Sequence, residues 1–92
     1  MANKVPDYVT MGDGFTDVAL SRPFEMAGTK VTSIRLREPT VADQLAADGK
    51  GSDAAREIAM MANLAEISPE DIKRLPLKDY KRVQTAFMLF ID

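Results

Sequence analysis

The chain has 92 residues, 46% hydrophobic and 28% charged, the size and balance of one small soluble domain without room for a second core. Twelve Lys and Arg against fourteen Asp and Glu leave a net charge of −2, the wrong sign for a chain whose main ligand is a phosphate backbone. Cysteine and histidine are both absent, which excludes disulfides, thiolate nucleophiles, imidazole bases and nearly every zinc, copper or haem site.

Residues 1–16 carry Pro6, Gly12 and Gly14 with apolar residues singly placed, so neither a period of 2 nor one of 3.6 persists. This segment reads as a flexible N-terminal arm, and residues 17–92 as the single folded domain. From Val18 the pattern changes. Val18, Leu20 and Phe24 share one parity, and after Ala27-Gly28-Thr29 so do Thr32, Ile34 and Leu36, which predicts a β-hairpin over about 17–37. Gly28 supplies the positive φ a tight turn needs, and Pro23, which cannot donate to a ladder, marks its strand as an edge or a bulge. A lone hairpin is marginal in water, so its apolar face needs a cover.

Helix signals follow Pro39. Thr40 and Asp43 form a capping box ahead of a short helix over about 40–48 with an i, i+4 apolar pair, Val41 and Leu45. After Gly49-Lys50-Gly51, Ser52 caps a second helix, about 53–66, in which Ala54, Ile58, Met61 and Ala65 make one stripe and Met60, Leu64 and Ile67 another. Ser68-Pro69-Glu70-Asp71 starts a third, about 69–75, ended by Pro76. A fourth, about 77–91, aligns Leu77, Tyr80, Val83, Phe87 and Phe90. The predicted fold class is α+β, an N-terminal β-hairpin followed by a small bundle of three to four helices.

Little of this supports chemistry. Glu70 and Asp71 suit a helix N-terminus better than a general acid and base, and Asp43, Asp48 and Asp53 lack the order of a calcium loop. The Gly49–Ser52 stretch lacks the frame of a phosphate-binding loop. The reading is of a protein that is not an enzyme, takes no cofactor and holds no metal. No stretch approaches the roughly 18 apolar residues of a membrane span, and no signal-peptide core opens the chain, so a cytoplasmic location without membrane contact is expected. The supply of soft apolar side chains is large: six Met and four Phe, with Met60-Met61 inside a helix and Phe87-Met88-Leu89-Phe90-Ile91 near its end. Such groups repack readily around different helices, so Met60, Leu64, Phe87, Met88, Leu89, Phe90 and Ile91 are the candidate partner-binding residues.

Three stretches carry a resemblance. Ile34-Arg35-Leu36-Arg37-Glu38-Pro39-Thr40-Val41-Ala42-Asp43, then Ile67-Ser68-Pro69-Glu70-Asp71-Ile72, and finally Leu75-Pro76-Leu77-Lys78-Asp79-Tyr80 with Gln84-Thr85-Ala86-Phe87 and Phe90, resemble the Mu-like and P2-like phage tail assembly chaperones from about Val18 to Ile91. The resemblance implies a non-catalytic phage or prophage protein of the host bacterial cytoplasm that is not retained in the mature virion. It would bind the tape measure protein, keep it soluble and help recruit tail tube subunits, in some phages through a frameshift-extended form. It marks Arg37, Glu38, Pro39, Asp43, Leu75, Pro76, Asp79, Tyr80, Gln84 and Phe87 as motif residues, several of which a capping role would explain equally well. The uncovered hairpin and spare apolar surface point to a homo-oligomer. The alternative is a small helix-turn-helix regulator binding nucleic acid through the last two helices, whose Lys73, Arg74, Lys78, Lys81 and Arg82 supply positive charge. The net acidic chain argues against it, and no nucleic-acid partner is expected.

Overall fold

A computed structural model describes residues 5–91. Three strands, β1 (Val9–Gly12), β2 (Phe15–Met26) and β3 (Thr29–Arg37), precede four helices, α1 (Val41–Ala47), α2 (Asp53–Ala65), α3 (Pro69–Arg74) and α4 (Leu77–Ile91). The sheet is antiparallel in the order β1-β2-β3, and the helices follow it in the chain, so the architecture is α+β with a hairpin-like sheet at its start.

The β2–β3 turn is built on Ala27 and Gly28, with φ of 50° and 79°. Two consecutive positive φ values define the mirror-image turn whose twist matches that of the flanking strands. Across the hairpin Val18 faces Ile34 and Thr16 faces Leu36, and all four are buried. Pairing breaks between Ala19 and Phe24, where residues 20–23 of β2 oppose Thr32 alone. Pro23 lies in this bulge, where no ladder hydrogen bond is asked of it.

The expectation of a loose arm over residues 1–16 is corrected. Val9–Gly12 pairs with β2, Val9 facing Val18 and Gly12 facing Phe15, and Ala19 N donates to Tyr8 O at 2.8 Å. Residues 1–4 lie outside the described residues. The strand shows no alternation because only Val9 of its four residues is buried. What forms it is the Asp13-Gly14 loop, with Gly14 at φ 82°, and a bare Gly12 against which the Phe15 ring lies so closely that a Cβ would clash with it.

The inner face of the sheet packs on α2, α3 and α4 around Val18, Leu36, Met61, Leu64, Ile72 and Val83. Each such side chain contributes about 1.5–3 kcal/mol by leaving water. The helix starts are capped by side chains. Thr40, Ser52 and Ser68 accept from the backbone N–H of Asp43, Ala55 and Asp71.

Two helical faces differ from their sequence pattern. In α1 the residues turned inward are Asp43 and Ala47, leaving Val41 and Leu45 75% and 66% exposed. In α4 they are Asp79, Val83 and Ala86, so Leu77 is 69% exposed while Tyr80, Phe87 and Phe90 pack at the margin of the core. In both helices a carboxylate takes an inward position that hydrophobic periodicity assigns to apolar residues.

Candidate partner-binding surface

Both of those carboxylates are motif residues, and each ties a helix to the sheet. Asp43 accepts from both guanidinium nitrogens of Arg37 at 2.7 and 2.8 Å, from Thr40 N at 2.9 Å, from Thr40 Oγ1 at 3.0 Å and from Asn63 Nδ2 at 2.9 Å. One side chain thereby ties the end of β3 to the start of α1 and the flank of α2. The Arg37 guanidinium, helped by the Thr40 amide, holds the Asp43 carboxyl well below the usual carboxylate range. Pro39 sets the extended approach to this cap, and Glu38, exposed, donates its N–H to Gly14 O at 3.1 Å.

Asp79 works on the bulge of β2. Its Oδ1 accepts from Ser21 N at 2.8 Å and its Oδ2 from Ser21 Oγ at 3.1 Å. One turn on, Arg82 donates to Ala19 O at 2.9 Å and stacks over the Tyr8 ring, 4.6 Å from its centroid. The amide and carbonyl that leave the ladder at the bulge are thus satisfied from α4. Pro76 O accepts from Asp79 N and Tyr80 N and opens that helix, while Leu75 joins the core. Tyr80 Oη and Gln84 Nε2, one turn apart, converge on Glu57 Oε1 of α2 at 2.6 and 2.7 Å. Burial, reinforced by Glu57, pushes the Tyr80 phenol above its ordinary value.

Three of the five basic residues that would serve a helix-turn-helix are engaged within the chain. Arg82 holds Ala19, Arg74 donates to Glu25 O at 2.9 Å and pairs with Asp71, and Lys73 lies 3.7 Å from Glu70. Arg74 also lies over the Phe24 ring. These contacts fix the helices on the sheet and, among the described residues, leave Lys78 and Lys81 of this set outside them.

Apolar surface gathers elsewhere. Between α1, α2 and α4 lies a recess of about 370 Å³, with Met60, Met61 and Phe87 among its apolar lining and Gln44, Asp48, Asp53, Arg56 and Glu57 among its polar lining. Ile91 stands one turn beyond Phe87 on α4, and Leu45 one turn before Asp48 on α1; Met88 and Ile91 are 50% and 56% exposed. The structure brings Met60 and Phe87 of the candidate set together in this recess and leaves Met88 and Ile91 on the free face of α4. Leu89 and Phe90 pack against the core. Leu64, the remaining candidate, is 1% exposed and packs within the core. Among the described residues no cluster of acids suited to a metal ion occurs, and no helix is long and apolar enough to cross a membrane.

Sequence reasoning missed Glu57, Asn63 and Ser21 as the partners of the motif residues, and Gln44 and Asp48 as recess lining. The i, i+4 spacing of Tyr80 and Gln84 was a legible sign that some acceptor lay on a neighbouring helix; nothing local links Ser21 to Asp79, 58 positions away.

Several polar motif residues are thus occupied in holding the fold, while Val41, Leu45, Leu77, Met88 and Ile91 remain exposed. The chain belongs to the phage tail assembly chaperones: residues 17–92 match the family described as phage tail assembly chaperone proteins, E, or 41 or 14. No curated protein and no solved structure shows significant similarity to it.

Proposed function

We propose that this chain binds the tape measure protein of its phage or prophage, keeps that protein's apolar helices soluble in the host cytoplasm and helps recruit tail tube subunits, without remaining in the finished virion. The observation that supports this reading is the recess between α1, α2 and α4, lined by Met60, Met61 and Phe87, together with the exposed Met88 and Ile91 of α4. Flexible thioethers at its base accommodate the varied side chains of a long helical client. A standard interface would bury about 1,200–2,000 Å² in total, more than the recess alone supplies, so the exposed end of α4 takes part. Self-association and a frameshift-extended form that contacts the tube protein complete the proposal.

Co-expression with fragments of the neighbouring tape measure gene tests it. The expected result is a soluble complex of defined mass by light scattering, weakened by Met88→Glu and Ile91→Glu while circular dichroism stays that of the parent. A fragment that remains insoluble and never co-purifies refutes the reading.

A further inference from the structure

Resting on that reading, the charge around the recess narrows what it accepts. Three carboxylates, Asp48, Asp53 and Glu57, line it against one cation, Arg56. Arg56 is already paired with Asp53, Glu57 spends one oxygen on Tyr80 and Gln84, and Asp48 has no ion-pair partner among the described residues. The floor, by contrast, is Met60, Met61 and Phe87. A trough with an apolar floor, walled by α1, α2 and α4 and with no strand residue in its lining, suits a helix laid in a groove, and at about 370 Å³ it takes the anchoring side chains of such a helix and leaves the helix's flanks at the rim.

We infer that the recess between α1, α2 and α4 selects an amphipathic helix whose apolar stripe is flanked by Lys or Arg, the bases lying against Asp48, Asp53 and Glu57 while large aliphatic side chains enter over Met60 and Phe87. An acidic-flanked helix of the same apolar face meets like charge at the rim and is turned away. The rim thus discriminates among clients that the apolar floor alone would accept alike.

Two synthetic helical peptides with one shared leucine stripe, flanked by Lys in one and Glu in the other, serve as probes in fluorescence anisotropy against the full chain. The Lys peptide binds roughly tenfold tighter at low salt, and the gap narrows severalfold as ionic strength rises, since rim charges are screened. Asp48→Lys weakens the Lys peptide about threefold or more, whereas Glu70→Lys, the same change in net charge placed on α3, leaves it unchanged. Equal affinity for the two peptides, or equal effects of the two substitutions, overturns the inference. So does binding of neither peptide, and the tape measure co-expression then decides the chaperone reading separately. Self-association of the chain that Asp48→Lys abolishes overturns it too, because the basic outer face of α4, with Leu77, Lys78, Lys81 and Met88, would then be the occupant.

Discussion

Asp79→Ala removes a carboxylate with no exposure to solvent that accepts two hydrogen bonds from Ser21, one from the backbone at 2.8 Å and one from the hydroxyl at 3.1 Å. Bonds to a charged acceptor are worth about 1.5–3 kcal/mol each, and the Ser21 amide is left at a bulge with no strand to pair with. A total near 3 kcal/mol is a large part of the roughly 5–14 kcal/mol that a domain of this length holds. At about 4–8 °C per kcal/mol, the melting temperature followed by circular dichroism falls by roughly 12–24 °C. Ser21→Ala keeps the backbone bond and costs about 1.5 kcal/mol; Asp79→Asn, which retains an acceptor oxygen, falls between the two. The double variant loses less than the sum of the singles, because both act on one contact. A melting temperature for Asp79→Ala within about 3 °C of the parent, or strict additivity in the cycle, would refute the argument that α4 holds the bulge.

Three further outcomes follow from the same structure. Thr16→Val raises stability by about 1 kcal/mol in urea titration, because the buried Thr16 hydroxyl has no hydrogen-bond partner among the described residues and its desolvation is uncompensated; a loss would show that a partner exists. Ala27→Asn stabilises by about 0.5–1 kcal/mol, since Ala27 sits at φ 50° before Gly28, where Asn-Gly is the favoured pair; an unchanged urea midpoint would count against the turn. The Asp43 carboxyl is held low by Arg37 and Thr40, so its ionised form is favoured by folding. Its contribution is whole above the ordinary carboxylate value near 3.9 and drains away as pH falls below that. Urea midpoints of the parent therefore decline between about pH 5 and pH 2 more steeply than those of Asp43→Asn, and parallel declines would refute the assignment.

What was legible in the sequence was local. Thr40 with Asp43, Ser52, and Ser68 with Pro69 announce helix starts because the capping groups lie within three residues of the amides they serve. Gly28 announces the hairpin for the same reason. β1 escaped the pattern because one buried residue cannot show a period, although Asp13-Gly14 was itself a hairpin signal. The inward faces of α1 and α4 escaped it because Asp43 and Asp79 answer polar needs created elsewhere, at the end of β3 and in the bulge of β2. Of the candidate surface, Met60, Phe87, Met88 and Ile91 were readable as surplus apolar residues. Leu64 was not separable from them, since a stripe on a helix does not say which side meets the core. The acids at the rim come from a helix end and the start of the next helix, and only the turn between α1 and α2 puts them beside Phe87.

The join between the bulge and α4 also bears on the order in which the molecule assembles. The sheet is complete as a sequence by Arg37, yet Ser21 and Ala19 find their acceptor and donor only in Asp79 and Arg82, 58 and 63 positions downstream. During synthesis the hairpin therefore waits, its apolar face and irregular strand unfinished, until nearly the whole described chain has emerged. Contacts this distant in sequence slow folding and lengthen the time apolar surface stays open. A protein whose proposed task is to shield the helices of another chain thus passes through a vulnerable interval of its own, which ends when its last helix docks.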